Sequence, residues 1–105
     1  MTVKRMEGET QWSWGDGFSD AKIADAIVTE ERIAFDCTEW FDYTVELKPA
    51  SIAGGWWTGT WRRKSDRKSG TCSAKLIKYE DGEIELEGIW TEDAELRWYT
   101  SLTEK

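Results

Sequence analysis

At 105 residues, with 33% charged and 39% hydrophobic side chains, the chain has the length and composition of one globular domain spanning 1–105 and not of a disordered segment. Its net charge of −7 repels phosphate backbones and anionic lipid, so neither nucleic acid nor a membrane surface is an expected partner. Eight tryptophans and no histidine are the outstanding features: each indole must fill a core, line a pocket or stack on a partner, and the commonest general base is missing.

In chain order, the first segment lacks the apolar stretch of a secretion signal, and no apolar run approaches the ~20 residues of a membrane span. The chain therefore reads as cytoplasmic. A strand is expected around Thr10–Trp14. The following Gly15-Asp16-Gly17-Phe18-Ser19-Asp20 lacks the alternate ligands and closing glutamate of an EF-hand, and reads as a plain loop. Ile23–Val28 and Arg32–Cys37 flank Glu30-Glu31. A two-residue turn there matches Val28 with Ile33, Ala26 with Phe35 and Ala24 with Cys37, small residues facing large ones as in a tapering barrel. A helix from Asp20 to Arg32 competes, since Ala, Lys, Ile and Glu are fair helix formers; the β-rich remainder favours the hairpin.

Phe41–Lys48 alternates most cleanly, with Phe41, Tyr43, Val45 and Leu47 on one face and Asp42, Thr44, Glu46 and Lys48 on the other. Gly54–Trp61 is a further strand. Between it and Thr71–Tyr79 lies Arg62-Arg63-Lys64-Ser65-Asp66-Arg67-Lys68. Five bases against one acid give this loop +4 and leave the rest of the chain at −11. With no aromatic residue among them to stack a base, these charges read as a solvated hairpin loop. Asp81-Gly82 marks a hairpin turn. A three-residue turn with a bulge puts Cys72, Ala74, Leu76 and Lys78 inside and pairs Lys75 with Glu87 outside. A two-residue turn reverses the faces; the first choice keeps Lys75 in water.

Glu83–Trp90 points Ile84, Leu86 and Trp90 inward, and Ala94–Leu102 does the same with Leu96, Trp98, Thr100 and Leu102. A three-residue connection, Glu92-Asp93-Ala94, sets Thr91 against Glu95, Trp90 against Leu96, Gly88 against Trp98 and Ile84 against Leu102. Glycine opposite Trp98 leaves space for an indole across the strand. Cys37 and Cys72 are too few for a disulfide framework and read as reduced strand residues.

About eight strands joined by short loops form an all-β, single antiparallel up-and-down barrel. Thr58-Gly59-Thr60-Trp61 resembles the string that opens the first strand of avidin-like proteins, and lipocalins carry a related Gly-x-Trp. The chain thus resembles the calycin-like barrels. The polar residues that hold biotin in avidins have no counterpart here, so the resemblance implies an architecture and a barrel mouth for a small, mostly apolar ligand, but not biotin.

Eight strands enclose space for packed side chains or for one small molecule. Trp57, Trp61, Trp90 and Trp98, with Phe35, Tyr43 and Thr100, fall on inner faces and are the candidate ligand-binding residues. Tyr43 and Thr100 would give the polar contacts. A filled interior, with the indoles as plug, is the competing reading. No catalytic elbow, phosphate loop or metal cluster occurs, no cofactor is implied, and the carboxylates fall almost entirely on outer faces, where nothing raises their pKa. The expectation is a non-enzymatic small-ligand-binding barrel. Trp12, Trp14, Trp40 and Trp56 do not fit readily inside and suggest a homodimer interface, a barrel cap or a sugar-stacking platform, in that context extended by Ile27 with Ala34 and Ile89 beside Arg97. The alternatives are accordingly a structural or oligomerising module and, more remotely, a carbohydrate-binding module.

Overall fold

The structure, a computed structural model, describes residues 3–14, 16–37, 42–50 and 55–105. Eight strands follow one another: β1 (Lys4–Trp14), β2 (Gly17–Val28), β3 (Ile33–Cys37), β4 (Tyr43–Pro49), β5 (Trp56–Arg63), β6 (Ser69–Lys78), β7 (Ile84–Glu92) and β8 (Ala94–Glu104). Each pairs antiparallel with the next, and β8 returns to β1, so the sheet is a closed up-and-down barrel. Closure leaves no unpaired sheet edge. Among the described residues there is no helix, and none that could cross a membrane.

Alternation builds the barrel. In β4, Tyr43, Val45 and Leu47 are buried while Lys48 is exposed. In β7, Ile84, Leu86 and Trp90 are buried. Across β7 and β8 the expected register holds throughout, with Thr91 opposite Glu95, Trp90 opposite Leu96, Gly88 opposite Trp98 and Ile84 opposite Leu102. The β6–β7 hairpin takes the longer turn: Lys75 pairs with Glu87, and Cys72, Ala74 and Leu76 lie on the inner side. Tyr79 N–H donates to the Glu83 carbonyl at 2.9 Å, and Gly82 between them has φ +92°, the left-handed residue such a bulged turn needs.

Three expectations need correction, and the hairpin favoured over a helix at 20–32 is what forms. The β2–β3 turn does centre on Glu30-Glu31, with Val28 opposite Ile33 and Ala26 opposite Phe35, but Cys37 pairs with Ile23 rather than Ala24. A bulge at Ala24-Asp25 shifts the alternation by one, which buries the larger Ile23 and turns Ala24 out. No helix forms over 20–32; those residues are strand β2 and the turn after it. Gly17–Asp20 is not loop but the start of β2, paired with the end of β1 from Trp14 to Gln11. Lastly, Trp12 is not a surface residue. It sits across from Trp98 at the β1–β8 junction and is only 3% exposed.

Gly88 faces Trp98 as expected, but the reason it must be glycine differs. A Cβ there would overlap the Ser73 carbonyl oxygen and crowd Ala74 Cα, so it is the β6 backbone, not the indole, that occupies the space. Gly59 meets the β4 backbone at Glu46–Leu47 in the same way. Both lie at inward positions where the curving sheet brings neighbouring chains closest.

Candidate functional site

The two ends of the barrel differ in chemistry. The upper end carries the β1–β2, β3–β4, β5–β6 and β7–β8 connections. The lower end carries the other three and both described chain ends.

Inside the upper half the aromatic rings pack on one another. Trp61 and Trp90 are stacked, with centroids 5.2 Å apart and planes 12° from parallel. Tyr43 stands edge-on to both, at 5.3 and 5.0 Å. Trp12 meets Trp90 at 5.3 Å and Tyr43 at 5.2 Å, and Trp98 meets Trp90 at 5.5 Å. Stacked and edge-to-face contacts of this kind add about 0.5–1.5 kcal/mol per pair beyond area burial. Each of the three fully buried indoles also donates a hydrogen bond. Trp61 Nε1 donates to the Thr91 carbonyl at 3.0 Å, Trp98 Nε1 to Thr10 Oγ1 at 2.6 Å, and Trp90 Nε1 to Glu92 Oε1 at 3.1 Å.

Of the seven residues singled out by alternation, all are buried. Trp61, Trp90, Trp98 and Tyr43 belong to the ring cluster. The Thr100 hydroxyl is 2.8 Å from that of Thr10, and Phe35 lies opposite Val45 in the apolar core. Trp57 stands apart, at the lower end.

Above the rings is a polar lattice that the alternation analysis missed. Tyr43 Oη donates to Glu92 Oε1 at 2.7 Å. Arg63 Nη1 donates to Glu92 Oε2 at 2.9 Å and to Tyr43 Oη at 3.2 Å, with its guanidinium 5.7 Å from the Tyr43 ring centre. On its other edge Arg63 makes a bidentate pair with Asp66, at 3.0 and 2.7 Å. Glu92 is therefore an exception to the expected placing of the carboxylates on outer faces, and Arg63 is not simply solvated. Both continue the inward series of their strands, Trp57-Gly59-Trp61-Arg63 and Leu86-Gly88-Trp90-Glu92, and extending the alternation by one step would have found them. Burial, followed by the hydrogen bond to Glu92, holds the Tyr43 phenol well above its usual range, while Arg63 holds the Asp66 carboxyl down to about 2.

Two further bases of the loop lie near carboxylates. Lys68 pairs with Asp93 at 2.7 Å, Lys64 lies 3.9 Å from Asp36, and Ser65 bonds Asp42.

Cys37 and Cys72 are free and buried, and burial pushes each thiol from 9.0 up to about 12; a nearby Asp36 adds to the effect at Cys37. Neither is poised as a nucleophile. The sign of the linkage is clear: the unfolded thiols ionise near pH 9 while the folded ones stay protonated to about 12, so stability is held below pH 9 and lost as pH rises through 12. Urea midpoints measured from pH 7 to 12 should be flat at first and fall steeply above 9, and Cys37→Ala with Cys72→Ala should blunt that fall. A double variant with an unchanged alkaline slope would show that the thiols are not responsible.

The lower end has the larger apolar opening. A cleft of about 410 Å³ is floored by Met6, Trp57, Leu76 and Ile84, with Val28 at one side and Lys4 and Lys78 at the lip. Volumes of this order suit small ligands. A smaller bowl, about 370 Å³, lies over Tyr43, Arg63 and Glu92 at the upper end, where the polar atoms already bond one another.

On the outer face, Ile27 pairs with Ala34 and Ile89 with Arg97 as expected. Trp56 is 38% and Ile89 43% exposed. Trp40 and Phe41 lie outside the described residues, as does the side chain of Trp14. Among the described residues no group of three His, Cys, Asp or Glu is placed to hold a metal ion. The chain matches no protein-family model, no curated protein and no solved structure.

Proposed function

We propose that this is a calycin-like barrel that binds one small, predominantly apolar molecule in the lower cleft, with Trp57 as its principal wall. The observation that carries the reading is the cleft itself: about 410 Å³ bounded by Met6, Trp57, Leu76 and Ile84, while the opposite half of the barrel is occupied by stacked rings. The packed upper half serves as the floor beneath this mouth. Of the seven candidate residues, Trp57 is the one that lines this cleft, and Trp61, Trp90, Trp98, Tyr43, Phe35 and Thr100 would support the site from beneath rather than touch the ligand. Burial of a side chain-sized apolar group there is worth about 1.5–3 kcal/mol per group. A place in the cytoplasm and a homodimer formed through the outer face at Trp56 and Ile89 belong to the same proposal, and the cleft depends on neither.

Titration with small neutral hydrophobes, followed by tryptophan emission, should give a saturable change in the native protein that is absent in Trp57→Phe. A Trp57→Phe response equal to that of the native protein would place the ligand elsewhere. No saturable response to any of the series would sink the reading altogether.

A further inference from the structure

Given binding at the lower cleft as proposed above, the cleft's lip narrows the class of ligand. Where the strands end at the lower mouth, the inward positions are apolar at Val28, Ile33, Trp57 and Ile84, and charged at Lys4, Lys78 and Glu104. The registers fix this: Lys4 lies opposite Val28, Val28 opposite Ile33, Lys78 opposite Ile84 and Glu104 opposite the buried Met6. Lys4 and Glu104 neutralise each other, their charged atoms 3.4 Å apart. Lys78 has no ion-pair partner among the described residues. It is therefore the one uncompensated charge among these inward positions, in a chain whose net charge is −7.

The two glutamates at the lip do not cancel it in the same way. Glu30 is at the exposed tip of the β2–β3 turn. Glu83 precedes the inward-facing Ile84, and alternation turns it to the other side. Lys78 continues the inward series Cys72-Ala74-Leu76, and it lines the cleft together with Leu76 while staying exposed to water.

We infer that the ligand is an amphipathic monoanion: an apolar body seated on Trp57, Leu76 and Val28, with a single carboxylate or comparable negative group drawn to the Lys78 ammonium. An apolar floor beside an uncompensated cation favours such a molecule over its neutral or cationic counterpart, because the charge stays at the wet lip while the body is desolvated.

Octanoate, octanol and octylamine share one body and differ in head charge, so calorimetric titration of each into the full chain tests the inference separately from the site. Octanoate should bind about fivefold more tightly than octanol, the size of effect a partly exposed ion pair provides, and octylamine should bind more weakly than either. Lys78→Gln should bring octanoate to the octanol level and leave octanol unchanged; Lys78 is exposed, so the melting temperature should hold. Equal binding of octanoate and octanol, a preference for octylamine, or an octanoate preference that survives Lys78→Gln would overturn the anionic assignment while leaving an apolar site in place. If none of the three binds, the site and the assignment fall together.

Discussion

Replacing Trp90 by alanine should cost about 3–5 kcal/mol, the range for truncating a large buried aromatic side chain. Trp90 is fully buried and touches four of the other rings, Trp12, Tyr43, Trp61 and Trp98. The substitution removes the stacked partner of Trp61 and takes one of the three donors away from Glu92. The surrounding rings cannot close the gap, since each is anchored to a different strand. A domain of this length has about 5–15 kcal/mol in total, so the variant should lose roughly 15–30 °C of melting temperature. Trp56→Ala makes the internal comparison: that indole is on the outer face and 38% exposed, and its removal should cost under about 1 kcal/mol. Urea unfolding of the two variants checks the contrast. Equal losses would mean that the ring cluster is not the stabilising centre of the barrel.

The second large effect is expected from the smallest addition. Gly88→Ala puts one methyl group into space held by the Ser73 carbonyl and Ala74 Cα. In an ordinary strand, glycine is the poorer residue and alanine stabilises by up to about 1 kcal/mol. Here the sign reverses, because the obstacle is backbone of the paired strand and cannot rotate away. Prying β6 from β7 at this point disturbs the Ala74–Gly88 pair and the Cys72–Trp90 pair beside it. A loss of about 2–3 kcal/mol is expected from overpacking of this kind. Trp98→Leu, which empties space beside Gly88 without touching β6, should not rescue Gly88→Ala. Rescue in a double-mutant cycle would restore the indole as the reason for glycine.

Much of the architecture was readable from alternation. The three hairpin registers at β2–β3, β6–β7 and β7–β8 depended on matching apolar residues across a turn, and two came out residue for residue. The third failed only where the Ala24-Asp25 bulge inserted an unpaired residue, a local irregularity with no glycine to signal it. Trp12 was hard to place because its neighbours at inward positions, Gly8 and Thr10, do not look like core. Thr10 becomes core only through Thr100 and Trp98, which lie 90 and 88 residues away. Arg63 and Glu92 escaped for a different reason. Charge at a strand end normally means solvent, and only the inward curl of the sheet across β6 brings these two within 2.9 Å of each other over the ring cluster. At the lower cleft the position of Trp57 was legible, whereas the isolation of Lys78 was not. It depends on Lys4 finding Glu104 from the opposite end of the chain.

That same junction of first and last strands has a kinetic meaning. Seven of the eight strand pairs are neighbours in sequence and can zip from a short turn; β1 with β8 alone requires almost the whole chain to be looped back. The entropy of that ring closure must be met before Thr10, Trp98 and Thr100 can exchange their buried hydrogen bonds. Refolding of this protein should therefore be limited by the meeting of its two extremities, with the hairpins already in place as the barrel snaps shut.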